Sequence, residues 1–150
     1  MVNDEISNLC EQLLQLYKDK LKEQNNIASG KLYDTAKVIT QWGDNYFEVF
    51  FELQDYWKYL EAGTKPHFPP VSAIEEWITA KKIVPRTQNG KVPTTKQLAF
   101  LISRSISEKG TKVYSPLQRS LSEADDLINK IAEEISKIFE EQLDKEIEEL

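Results

Sequence analysis

The chain has 150 residues, 40% hydrophobic and 29% charged, with a formal net charge of −6, one cysteine and one histidine. That length suits a single domain, which buries roughly two-thirds of its unfolded surface on folding and needs no disulfide staple. No run approaches the roughly 18 apolar residues of a membrane span, and the opening Met1-Val2-Asn3-Asp4-Glu5-Ile6 lacks the basic and apolar regions of a secretion signal, so a soluble protein made in the cytoplasm is expected.

Residues 4–24 place Ile6, Leu9, Cys10, Leu13, Leu16, Tyr17 and Leu21 at three- and four-residue spacing, which predicts an amphipathic helix with one buried stripe. Cys10 lies on that stripe and reads as a reduced core position. Asn25-Asn26 and Ser29-Gly30 end the helix. Ala36–Trp42 and Tyr46–Leu53 are rich in β-branched and aromatic residues and flank Gly43-Asp44-Asn45, the signature of a β-hairpin. On its second strand Phe47, Val49, Phe51 and Leu53 share one face and Glu48 and Glu52 the other.

Asp55 is placed to cap a short helix over Tyr56–Ala62, with Gly63 as its left-handed stop, and Pro66, Pro69 and Pro70 forbid continuation. Ser72 opens a helix to about Lys82 through Ile74, Trp77 and Ile78, with Glu75 completing a capping box. Val84–Thr95 carries Pro85, Asn89-Gly90 and Pro93 and reads as an exposed loop. Thr94 or Thr95 caps a helix over Lys96–Lys109, buried through Leu98, Leu101, Ile102 and Ile106 and stopped by Gly110. A last helix is predicted over Leu117–Glu149, with Leu117, Leu121, Ala124, Ile128, Ile131, Ile135 and Ile138 as a seam that then slides to Phe139, Leu143, Ile147 and Leu150. The expected fold class is α+β: a long N-terminal helix, a small antiparallel sheet with a central hairpin, several helices and a long C-terminal helix. All of it forms one domain over 1–150, with the acidic 117–150 helix as an assembly element.

Candidates for chemistry are few. His67 lies among prolines with no serine or cysteine nucleophile in a recognisable elbow, so no catalytic residue is assigned; an enzyme relying on His67 or Glu61 is the weakest alternative. One Cys and one His cannot build a tetrahedral structural zinc site, and no metal ligand is assigned. Glycines 30, 43, 63, 90 and 110 are too scattered to cradle a phosphate, and no cofactor is expected. Adjacent carboxylates such as Glu75-Glu76 and Glu133-Glu134 diverge by about 100° on a helix and reach solvent.

The charge is segregated. Residues 1–78 hold seven basic against thirteen acidic side chains, 79–112 eight against one, and 117–150 four against eleven. Such a pattern suits pairing between neighbouring copies or docking on an oppositely charged partner. Lys81, Lys82, Arg86, Lys91 and Lys96 surround the predicted loop and are basic contact candidates, for a protein surface, for DNA phosphates, or as solvated charge. Without aromatic residues between Trp77 and Phe100, the loop offers no stacking platform for single strands.

Tyr56-Trp57-Lys58-Tyr59-Leu60-Glu61-Ala62-Gly63-Thr64, with Lys65-Pro66-His67-Phe68-Pro69-Pro70 behind it, resembles the Y-x-x-Y-L-E-x-G-T core of the minor-capsid and tail-completion family of tailed bacteriophages. Three further pieces fit that family in order. They are Ser29-Gly30-Lys31-Leu32; the W-I-x-x-K-x-I of Trp77-Ile78 and Lys81-Lys82-Ile83; and the A-F-x-I-x-R-x-I of Ala99–Ile106 with Lys109-Gly110-Thr111 and Pro116-Leu117. Leu117 stands where the family has an aromatic, and the final helix is longer and more acidic.

The resemblance implies a small α+β subunit without enzymatic activity. Its copies would form a ring at the virion neck between portal and tail, with other neck and tail proteins as partners, transient contact with packaged DNA, and no membrane. Tyr56, Trp57, Tyr59, Glu61, Gly63, Thr64, His67 and Phe68 are then the assembly-interface candidates. The alternative expectation is a cytosolic regulatory module binding nucleic acid through the basic 81–112 segment.

Overall fold

A computed structural model describes residues 4–28, 30–87 and 89–150; Met1-Val2-Asn3, Ser29 of the glycine-basic-leucine piece and Gln88 of the predicted loop lie outside them. The first helix, α1, spans Asp4–Glu23, with acidic residues in its first turn and lysines in its last, which matches the helix dipole at both ends. Asn25 adopts a left-handed conformation at φ 56°, and Asn26 N donates to Leu21 O at 2.8 Å, so the two asparagines close the helix as their side-chain chemistry predicts.

A short helix, α2 (Lys31–Thr35), was not expected from the sequence. Five residues cannot hold a helix by propensity alone. Here the Leu32 N–H, one of the unpaired first-turn donors, reaches the Tyr56 hydroxyl at 2.7 Å, and Leu32 itself is buried.

The hairpin forms as predicted from β1 (Lys37–Trp42) and β2 (Phe47–Glu52), antiparallel, in a register pairing Val38 with Phe51 and Trp42 with Phe47. Val38, Trp42, Phe47, Val49 and Phe51 face the helices, and the paired Ile39 and Phe50 lie on the outer face.

Helix α3 (Trp57–Ala62) starts from Tyr56, and no side chain caps it, so Asp55 does not take the predicted role. Helix α4 (Val71–Ala80) likewise begins one residue before Ser72. Pro70 occupies its N-cap, and the Pro70 carbonyl accepts from Ala73 and Ile74 in place of the predicted Ser72–Glu75 box. Helix α5 (Thr95–Lys109) opens on a full capping box: Gln97 N donates to Thr94 Oγ1 at 3.1 Å and Thr94 N donates to Gln97 Oε1 at 2.9 Å.

α4 and α5 pack on each other. The buried line of α5 runs through the small residues Ala99 and Ser103, one turn apart. Leu101, predicted to be buried, lies on the surface beside Phe100, because the buried line falls on Ala99 and Ser103 instead.

The predicted single helix over 117–149 is broken in two: α6 (Pro116–Ser122) and α7 (Asp125–Glu148), joined at Glu123-Ala124. The break has a packing cause. Leu117 joins Tyr17, Leu21, Leu32, Trp57 and Leu60 in one apolar cluster, whereas Ala124, Leu127, Ile131, Ile135 and Ile138 join Ile6, Leu9, Cys10 and Leu13 in another. A straight helix cannot lie along both. The bend also brings Glu123 to Lys20, whose ammonium nitrogen lies 2.9 Å from Glu123 Oε1 and 3.1 Å from Glu23 Oε2. In consequence Leu121 and Ile128 of the predicted seam are turned outward and Leu127 takes a core place.

α1 is the central element, with the hairpin, α6 and α7 around it. The fold is α+β as expected. Among the described residues no helix is long and apolar enough to cross a membrane.

Candidate assembly site

The Y-x-x-Y-L-E-x-G-T segment ends in a glycine exit. Gly63 (φ 67°, ψ −173°) is not the left-handed cap read from the sequence; it occupies a region that only glycine enters readily and sends the chain out extended. Gly110, after α5, has the same conformation at φ 72° and ψ −162°.

The two glycines do this together because Gly63-Thr64 and Gly110-Thr111 pair antiparallel. Thr111 N donates to Thr64 O at 3.1 Å, Thr64 N donates to Thr111 Oγ1 at 2.8 Å, and the two hydroxyl oxygens are 2.9 Å apart. A Cβ on Gly63 would lie 2.6 Å from Thr111 O, and one on Gly110 2.1 Å from Thr64 O. Each missing side chain is the space that the partner threonine's carbonyl fills.

One turn back, Glu61 completes the clasp. Its carboxylate accepts from the backbone N–H of Leu117 and, at 3.4 Å, of Gln118, so it caps α6 from another part of the chain. Leu60 O accepts from both Tyr114 N and Ser115 N, and Ser115 Oγ donates to Glu61 O at 3.0 Å. These bonds hold Ser115 in a left-handed conformation, φ 49°, which a serine adopts at a cost of about 1 kcal/mol. Pro116 follows at the first turn of α6, where its missing N–H costs nothing.

Beneath the clasp lies the Tyr17 hydroxyl, buried with no hydrogen-bond partner among the described residues. Burial, followed by the negative charge of Glu61 and the neighbouring Tyr56, holds its pKa far above the usual tyrosine range.

The eight arm candidates therefore separate. Glu61, Gly63 and Thr64 are spent inside the clasp; Tyr56 gives its hydroxyl to α2; Trp57 packs into the cluster around Tyr17. Tyr59, His67 and Phe68 remain on the surface. His67 Nδ1 meets Lys65 O at 2.9 Å, and its backbone N–H donates to Ile106 O at 3.4 Å, which ties the proline arm to α5. Phe68 lies 6.0 Å from Phe100, ring to ring.

Of the basic candidates, Lys81 is taken up by the fold. Its ammonium donates to Asn25 O and stands over the Trp77 ring at 5.3 Å, and burial pushes its pKa down. Lys82, in a left-handed conformation at φ 56°, ends α4. Arg86, Lys91 and Lys96 are exposed, and the latter two line an open groove of about 880 Å³ along α5.

Sequence reasoning missed Thr111, Ser115 and Lys20 as structural partners. The repeated Gly-Thr dipeptide was the one available signal for the first of these.

Among the described residues no group of three or more His, Cys, Asp or Glu side chains is placed to hold a metal ion. Comparison of the chain with protein-family models, with curated proteins and with solved structures gave no match.

Proposed function

We propose that this chain is a non-enzymatic structural subunit of the tailed-phage neck, a connector or tail-completion protein whose copies form a ring joining portal and capsid to tail. The observation that carries the reading is the clasp. Three pieces of the resemblance, spread over residues 30–117, are bonded to one another: Leu32 to Tyr56, Thr64 to Thr111, and Glu61 to Leu117. Their convergence on one clasp supports reading the pieces together. The clasp also holds the proline arm against α5, so Tyr59, His67 and Phe68 are displayed from a fixed corner, as an assembly surface requires.

Partners in this reading are other copies of the chain, the portal, and neighbouring neck and tail proteins, with packaged DNA in passing contact. Gold-labelled antibody on the particles of a phage whose genome encodes this chain tests the location. Label is expected at the head–tail junction, together with peptides of the chain in purified particles. Particles that contain none of the protein refute the reading.

A further inference from the structure

The last turns of α7 leave the body of the protein. Its buried stripe ends at Phe139, whose ring meets Trp42 at 5.8 Å, and every residue from Glu140 to Leu150 is exposed. Yet the apolar spacing continues: Leu143 (56% exposed) and Ile147 (58% exposed), with Leu150 beyond, fall on one side of the helix axis. Glu140 and Asp144 border this stripe on one side and Glu146 on the other. An apolar stripe bordered by carboxylates is therefore presented to solvent.

The groove along α5 has the opposite character. Its floor is apolar: Val71, Val92, Pro93, Phe100 and Leu101, with Phe100 half exposed and Val92 63% exposed. Lys91 and Lys96 stand on its rim, and no carboxylate is found among its described lining residues. Arg104 follows Phe100 by one turn and is paired with Glu108 at 3.5 Å, so the groove's free positive charge rests on the two lysines. Shape class, polarity and charge thus match between a convex acidic-apolar helix tip and a concave basic-apolar groove on the same molecule.

Building on the ring reading above, we infer that the α7 tip of one copy docks in the α4–α5 groove of the next. Two different patches of one chain that complement each other make a heterologous contact, which propagates head to tail and closes into a ring when the rotation permits. Leu143 and Ile147 supply the apolar anchors, Phe100 and Val92 their seat, and the carboxylates and lysines set orientation. A contact built on two apolar anchors is small, so a dissociation constant on the order of micromolar is expected.

Sedimentation velocity of the full chain over a concentration series tests this, with Leu143→Asp/Ile147→Asp as the tip variant and Val92→Asp/Phe100→Asp as the groove variant. All four positions are exposed, and unchanged circular dichroism checks that each variant folds. The wild type is expected to self-associate, and to dissociate on raising salt from about 0.1 to 1 M, where the screening length shrinks to about 3 Å. Each variant is expected to be monomeric at the same concentrations. Mixed, the two are expected to form a one-to-one dimer that goes no further, because one intact tip and one intact groove remain. If the wild type and both variants form the same oligomer, the docking inference is overturned while the ring reading stands. A mixture that stays monomeric also overturns it. A wild type that is monomeric throughout overturns the docking inference and removes self-assembly from the ring reading as well.

Discussion

Thr64 and Thr111, 47 residues apart, share a hydroxyl–hydroxyl contact of 2.9 Å inside a two-residue antiparallel bridge, and each sits directly after a glycine that only a hydrogen side chain fits. Gly110→Ala is therefore expected to lower the unfolding free energy by at least about 2 kcal/mol, from backbone strain and from the collision with Thr64 O. Gly90, also at positive φ (+77°) but with nothing within 4 Å of a Cβ, is the control. Gly90→Ala is expected to cost about 1 kcal/mol from conformation alone. Urea midpoints of the two variants compare them, and equal losses would show that the glycine contact contributes nothing.

Glu61 caps a helix 56 residues further along the chain. Removing the carboxylate in Glu61→Ala frees two N–H groups of α6, with an expected loss of about 1–2 kcal/mol in thermal unfolding. Glu61→Gln keeps one acceptor oxygen and is expected to lose less. A Glu61→Ala protein as stable as the parent would mean that water caps α6 equally well.

Alkaline stability follows from four groups that the fold holds above their usual values. Burial raises the Cys10 thiol from 9.0, with Glu11 adding to it, and burial raises Tyr17 from 10.0. Hydrogen bonds donated to Glu123 and then to Glu23 raise Lys20 from 10.5, and a hydrogen bond donated to Glu134 raises Lys137. In each case the folded chain keeps a proton that the unfolded chain releases, so the stabilisation is complete below pH 9 and is lost progressively above it. Lys81, lowered by burial, acts in the opposite sense and offsets a part. Urea midpoints between pH 8 and 11 are expected to fall steadily from about pH 9. The Tyr17→Phe variant, which also removes an unpaired buried hydroxyl, is expected to fall less steeply, and a flat profile would contradict the assignment.

Local chemistry made much of the fold legible. The α1 stripe, the alternating faces of β2, the Asn25 stop and the Thr94 cap depend on residues within a few positions of one another. The features that escaped depend on distant partners. α2 needs the Tyr56 hydroxyl, the α6–α7 break needs two separate apolar clusters and Lys20, and the exposure of Leu101 goes with a buried line of α5 that runs through Ala99 and Ser103.

The candidate site shows the same division. The Tyr56–Thr64 motif was visible, but not that Glu61, Gly63 and Thr64 face inward to a second motif. The repeat of Gly-Thr at 63–64 and 110–111 was visible, but spacing along the chain carries no information about whether the two meet.

Leucines at two depths separate core from tip. Leu13→Ala, at a buried contact of α1 with α7 and the hairpin, is expected to cost about 2–4 kcal/mol, and Leu143→Ala within about 0.5 kcal/mol for the isolated chain. Thermal unfolding at a concentration where the protein is monomeric checks both values. A large loss for Leu143→Ala would place that side chain inside the body of the protein.

Negative-stain imaging of the purified protein, alone and mixed with phage portal and tail proteins, tests the proposed ring assembly most directly. Closed rings of uniform subunit number, seated on the portal or the tail end, are predicted. A protein that stays monomeric and joins neither partner would contradict the account.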